Sequence, residues 1–223
     1  MNHISELAQL GTSTWLDDLS RERLVSGNLK EIISTKSIVG VTTNPAIFAA
    51  AMTNGTAYDA ELATLKESKA SADEAVYALA IEDVQNACDL FADIYSSTDG
   101  ADGRVSIEVD PRISDDPTAT LEQARELWSK VDRPNVMIKI PATTGSLPAI
   151  EDALAEGISV NVTLIFSVER YRAVIEAFRT GLKRAAESGK DVATIHSVAS
   201  FFVSRLDTEV DKRLEAIGSE QAL

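Results

Sequence analysis

The segment NVMIKI at 135–140 decides the fold class. It is short and β-rich, and side chains along a strand alternate between two faces. Val136, Ile138 and Ile140 share one parity, while Met137 and Lys139 share the other. In a sheet wrapped by helices the apolar parity packs outward, so the opposite parity lines the interior. Lys139 then stands inside the sheet near the C-terminal end of its strand.

Five further β-rich runs flank this one, at about 12–17, 38–43, 104–109, 158–163 and 193–199. Longer helical stretches separate them. Ser71 with Glu74 three residues on forms a capping box, followed by an apolar line through Val76, Leu79, Ala80, Val84, Ala87, Cys88 and Phe91. After Asp116-Pro117, the residues Leu121, Ala124, Leu127, Trp128 and Val131 share one helical face. Ser167 reads as an N-cap for a helix reaching about Ser188, with Gly189 as its stop. Gly157 and Gly218 end two others, the last helix running over about 203–217, and Pro45 suits a first helical position.

Strands alternating with helices predict a parallel sheet, open or closed into a barrel. No Gly-x-Gly-x-x-Gly and no Gly-x4-Gly-Lys-Ser/Thr follows a strand, which argues against a nucleotide-binding open sheet. The inward residues favour the barrel. Ser106 and Glu108 oppose Val105, Ile107 and Val109, and Asn161 and Thr163 oppose Val160, Val162 and Leu164. Thr42 and Asn44 oppose Val39 and Val41, and Asp17 shares the parity of Trp15. Five strands therefore bring Asp17, Asn44, Glu108, Lys139, Asn161 and Thr163 to one inner side near their C-terminal ends, where barrel enzymes carry their active sites. The expected fold is an α/β, TIM-type (β/α)8 barrel. About six of the eight strands are present, in one incomplete domain over 1–223.

An ammonium inside such a barrel loses hydration, which favours the free, nucleophilic amine. The matching chemistry is a Schiff base with a carbonyl substrate. The same position also suits a lysine ion-paired to Glu108 for structure alone. Glu108 and Asp17 suit general acid and base roles, or strand-end carboxylates. Asn44 suits a substrate contact or a helix cap, and Asn161 and Thr163 suit substrate contacts or satisfied interior polar groups.

Composition removes other classes. The 223 residues are 44% hydrophobic and 25% charged, ordinary for a globular chain. Thirty-five acidic against 21 basic residues give a net charge of −14, which disfavours nucleic acid while leaving room for a locally basic phosphate pocket. One cysteine, Cys88, allows no intrachain disulfide. The N-terminus lacks a signal-peptide core, and no run approaches the roughly 20 apolar residues of a membrane span. The expectation is a soluble, cytoplasmic protein. Two histidines and one cysteine leave no His/Cys metal cluster.

The segments GVTTNPAIF (40–48), SIEVDPR (106–112), IKIPAT (138–143), GISVNVTLIFS (157–167) and SFFVSR (200–205) resemble those of transaldolases. The whole chain, from GTSTWLDDLSRERL (11–24) onward, resembles the longer actinobacterial-type branch. The resemblance implies a class I aldolase barrel with Lys139 as the Schiff-base lysine. Asp17 would take the proton from the C4 hydroxyl as the C3–C4 bond breaks. Glu108 would act through a water in carbinolamine formation and dehydration, and Thr163 would help hold that water. Asn44, Asn161 and Ser200 would bind the dihydroxyacetone unit, and Arg205 a phosphate. The implied reaction moves dihydroxyacetone from sedoheptulose 7-phosphate to glyceraldehyde 3-phosphate, in the non-oxidative pentose phosphate pathway. Two other readings stand beside it: a fructose 6-phosphate aldolase-like enzyme releasing dihydroxyacetone, and a non-catalytic N-terminal fragment. Family chains supply two more strands and a second phosphate-binding arginine beyond this stretch.

Overall fold

The computed structural model describes residues 3–44, 52, 56–219 and 221. Pro45, the expected first residue of a helix, lies outside them. Six strands pair in parallel and in sequence order: β1 (Trp15–Leu16), β2 (Gly40–Val41), β3 (Arg104–Glu108), β4 (Val136–Pro141), β5 (Val160–Ile165) and β6 (Ser197–Phe201). They curl into an open half-barrel with helices around it. The helices are α1 (His3–Gln9), α2 (Arg21–Val25), α3 (Asn28–Lys36), α4 (Asp59–Glu67), α5 (Ala72–Leu90), α6 (Ala92–Ser97), α7 (Pro117–Val131), α8 (Leu147–Ala155), α9 (Val168–Glu187) and α10 (Val203–Ile217). Among the described residues, no helix is long and apolar enough to cross a membrane.

The alternation expected from sequence builds this architecture. Val105, Ile107, Val136, Ile138, Ile140, Val160 and Val162 all face the helices. They join one buried cluster with Val84, Ala87 and Cys88 of α5, Leu121, Ala124 and Leu127 of α7, and Ile150 and Leu154 of α8. Each fully buried aliphatic of this kind contributes about 1.5–3 kcal/mol, so the strand faces cannot exchange without losing the core. Local signals agree. Ser71 and Glu74 form the reciprocal capping box of α5. Ser167 accepts from the Arg170 N–H at the start of α9, whose last helical residue is Glu187. Gly218, at φ 62°, closes α10.

The sixth strand departs from its expected place. The β-rich run at 193–199 starts instead with a 3-10 turn, Val192–Thr194, capped by the Asp191 carboxylate accepting from the Ala193 N–H. Pairing then begins only at Ser197, opposite Val160. A local cap outcompetes strand propensity until the neighbouring strand offers partners. β1 and β2 likewise pair over fewer residues than their β-rich runs suggest. β5 carries an extra residue: Leu164 sits at φ 60°, and the register with β6 shifts between Val162 and Ile165.

Outside the sheet, a buried polar cluster ties α2 to α5. Arg21 donates from Nε to the Asp83 carboxylate and from Nη1 to Glu61 at 2.6 and 2.7 Å. The Tyr58 hydroxyl donates to Asp83 Oδ2 at 2.6 Å and accepts from the Arg21 backbone N–H at 2.9 Å. Asp83 is completely buried. Removing one partner of such a cluster would strand a buried charge, at a cost of about 3–5 kcal/mol.

Gly40 is dictated by packing. A Cβ there would lie 2.7 Å from the Trp15 ring, which crosses it from the adjacent strand. Gly40→Ala is therefore expected to destabilise the chain by about 1–3 kcal/mol through overpacking. Urea unfolding would show a lower midpoint at unchanged slope, with altered Trp15 emission; an unchanged midpoint would contradict this account.

Candidate active site

Strand register stacks the inner residues across the sheet. Glu108 pairs with Lys139, Lys139 with Asn161, and Pro141 with Thr163. All four polar side chains share the inner parity at the C-terminal ends of β3, β4 and β5. Their spacing follows from the pairing distance of adjacent strands, about 4.8 Å.

Lys139 is only 5% exposed. Its Nζ donates to the Thr43 carbonyl at 2.9 Å and lies 3.6 Å from Glu108 Oε2, an ion pair rather than a tight hydrogen bond. Thr43 reaches the site because it follows β2, and its own hydroxyl donates to the Ser106 carbonyl at 2.8 Å. Burial pushes the Glu108 carboxyl above its ordinary value. The Lys139 cation opposes that shift, and the negative charge of Asp17 adds to it. Glu108 is thereby held nearer the protonated form than a surface glutamate, beside an amine.

Deeper in the interior a relay of hydrogen bonds crosses three strands. Ser200 of β6 donates to Asn161 Oδ1 at 2.9 Å, and Asn161 Nδ2 donates to Ser106 Oγ at 3.0 Å. Thr163 is fully buried, and its hydroxyl has no partner among the described residues. The Thr42 hydroxyl is in the same position. A buried hydroxyl without a partner costs free energy, so these two groups are available to bind something that enters. Asn44 follows Thr43 and, with Glu108, borders a pocket of about 220 Å³ between β3 and α5.

Two sequence candidates stand apart from this buried group. Asp17 follows β1 and is exposed, although its charge reaches Glu108. Arg205, in the first turn of α10, is exposed with its guanidinium 4.6 Å above the Phe202 ring; Phe202 in turn stacks on Phe166. The structure adds Ser106, whose parity with Glu108 is legible in the sequence and whose Oγ accepts from Asn161. The Thr43 carbonyl could not be anticipated, because a backbone group carries no residue-type signal. Among the described residues, no group of three or more His, Cys, Asp or Glu side chains is arranged to hold a metal ion.

A buried amine with a largely buried carboxyl partner, and hydroxyl and amide groups beside it, can take a carbonyl compound into covalent linkage. Several known proteins are similar to this chain. The family model described as Transaldolase/Fructose-6-phosphate aldolase matches residues 14–223. A protein named transaldolase from Mycolicibacterium smegmatis is 59% identical over 221 residues, which cover 99% of this chain and 60% of the relative. A transaldolase from Kocuria rhizophila is 59% identical over 217 residues, 97% of this chain and 59% of the relative. One from Mycobacterium leprae is 59% identical over 221 residues, 99% and 59% of the respective chains. The chain thus spans about three fifths of the length of the curated relatives it matches. With the family model covering residues 14–223, nearly the whole chain, this chain belongs to the transaldolase/fructose-6-phosphate aldolase family.

Proposed function

We propose that this chain carries the Schiff-base half-site of a transaldolase, a transferase acting on sugar phosphates. The observation that supports it is the pairing of Lys139, 5% exposed, with the Glu108 carboxyl 3.6 Å away. The Lys139 amine attacks the C2 carbonyl of the ketose, giving a carbinolamine. Glu108, acting through a water held by Thr163, delivers the proton with which the C2 hydroxyl leaves as water. A protonated imine remains. Asp17 takes the proton of the C4 hydroxyl, the C3–C4 bond breaks, and its electron pair enters the imine as an enamine. The aldose leaves, and the enamine attacks the aldehyde of an acceptor. Asn44, Asn161 and Ser200 hold the hydroxyls of the dihydroxyacetone unit, and Arg205 binds a phosphate. The donor is sedoheptulose 7-phosphate and the acceptor glyceraldehyde 3-phosphate, which places the reaction in the non-oxidative pentose phosphate pathway. The imine itself is the electron sink, so the chemistry calls for neither a metal nor an organic cofactor.

The Asn161 relay supports this assignment on energetic grounds. A bound hydroxyl can take over either of its hydrogen bonds, from Ser200 or to Ser106, with little net change in pairing. The family description joins transfer with aldol cleavage. Release of free dihydroxyacetone, rather than passage to an aldose phosphate, would assign the aldolase branch.

Borohydride reduction in the presence of fructose 6-phosphate is expected to leave a reduced dihydroxyacetone adduct on Lys139, identified by peptide mass spectrometry. Lys139→Met is expected to abolish it. An adduct on another lysine, or none from folded protein, would overturn the proposal.

Glu108→Gln gives a second, pH-dependent expectation. The folded-state pKa of Glu108 is raised from 4.5. Its favourable contribution is therefore complete below the unfolded value and is lost as pH rises through the folded value. The stability of Glu108→Gln relative to the parent chain should rise as pH increases from about 4.5. Denaturant midpoints measured across that range would check the sign, and a difference constant with pH would refute it.

A further inference from the structure

Glu108 is the last residue of β3, and its side chain has a loose hold: an ion pair at 3.6 Å. Its position therefore depends on its backbone. The ladder continues one step, with the Val109 N–H donating to the Lys139 carbonyl at 3.0 Å. Beyond that, the helix layer takes over. Gln123 of α7 presents Oε1 to the Asp110 N–H at 2.7 Å. Its side chain lies beside Tyr77 of α5. Tyr77 in turn donates to the Glu108 carbonyl at 3.4 Å.

Two neighbouring side chains thus hold both sides of the strand end, Gln123 at Asp110 and Tyr77 at Glu108. The directions are determined. Only an N–H can donate at Asp110, so Gln123 must turn its oxygen there and its nitrogen toward Tyr77. Burial and the nearby charges of Asp110 and Glu108 hold the Tyr77 phenol protonated, so the hydroxyl can donate onward. Asp110 is held separately: its carboxylate accepts from Arg112 at 2.9 Å, and Arg112 reaches Asp73 of α5 at 2.8 Å.

We propose that Tyr77 and Gln123 are positioning residues that set the distance between the Glu108 carboxyl and the Lys139 amine by bracing the end of β3 from the helix side. The inference rests on the Schiff-base reading of Lys139. Tyr77 borders the pocket of Glu108 and Asn44 from the helix side, Gln123 stands outside it, and both act on the strand end through its backbone. Loss of the brace lets the strand end drift while the sheet and its core stay in place.

The test measures the Lys139 amine directly and needs no turnover. Formaldehyde with cyanoborohydride is applied across a pH series to the 223-residue chain, and methylation of each lysine is read by peptide mass spectrometry. Lys139 is faced by Glu108 from β3, and Asp17, following β1, acts on Glu108. Glu108→Gln serves as the reference. Removing a carboxylate that favours the ammonium should speed Lys139 methylation near pH 7 by about threefold or more. Tyr77→Phe, which removes a single hydroxyl, and Gln123→Met, which keeps the side-chain length, should shift the Lys139 profile the same way by a smaller factor. Exposed lysines such as Lys183 should not change, and circular dichroism should be that of the parent. If Glu108→Gln shifts the profile and both brace variants follow the parent, the positioning role is overturned and the proposed chemistry stands. If Glu108→Gln itself leaves Lys139 unchanged, the amine and carboxyl are uncoupled and the brace is overturned, whereas the Schiff-base reading falls only if borohydride trapping leaves no adduct on Lys139.

Discussion

Alternation of side chains along parallel strands in fixed register is the constraint on which the rest of this molecule depends. Once Val136, Ile138 and Ile140 are committed to the helix layer, Met137 and Lys139 have only the interior left. Pairing of Glu108 with Lys139 and of Lys139 with Asn161 then stacks an acid, an amine and an amide at one level. A slip of one residue in any strand would turn its polar group into the helix layer and its aliphatics into the site. The hydrophobic core and the chemistry are therefore stabilised by the same register, and neither can be altered separately within β3 to β5.

Both ends of the strands carry buried polar groups on the inner face. At the C-terminal ends, polar groups are only partly satisfied: the Thr163 and Thr42 hydroxyls lack partners among the described residues, and the Lys139–Glu108 pair is long. At the opposite end, Arg104 is buried on the inner face. It donates to the Gly100 carbonyl at 2.8 Å, with its guanidinium 5.0 Å above the Tyr95 ring. Asn135 nearby donates to both the Cys88 and Gly103 carbonyls. These contacts hold the base against the helices, and the Arg104 Nη1 and Nη2 atoms there, like the two threonine hydroxyls at the other end, are buried without a hydrogen-bond partner among the described residues.

Much of this was legible because it is periodic or local. The inner and outer parities of 104–109, 135–140 and 158–163 carry a two-residue period that sheet packing respects. The capping box at Ser71 and the N-cap at Ser167 are settled within four residues. What escaped is non-local or carries no residue-type signal. The start of β6 depends on where β5 offers partners. The Thr43 carbonyl at Lys139 lies 96 residues away in sequence, and the Arg21–Asp83 contact spans 62. Exposure of Asp17 follows from the brevity of β1, whose paired length no composition reveals.

Leu164 gives β5 a property that substitution analysis would miss. It is the additional residue in a strand that otherwise alternates strictly, set at φ 60°. The chain after it reaches Phe201 of β6 in register and enters α9 at the Ser167 cap only because that residue is there to be counted. Length, rather than side-chain identity, is the conserved quantity such a bulge demands. Many residues could occupy the position at the modest penalty of a left-handed backbone. A single deletion would carry every following side chain across the sheet by half a period. The segment between Thr163 and Ser167 is thus tolerant to spelling and intolerant to counting.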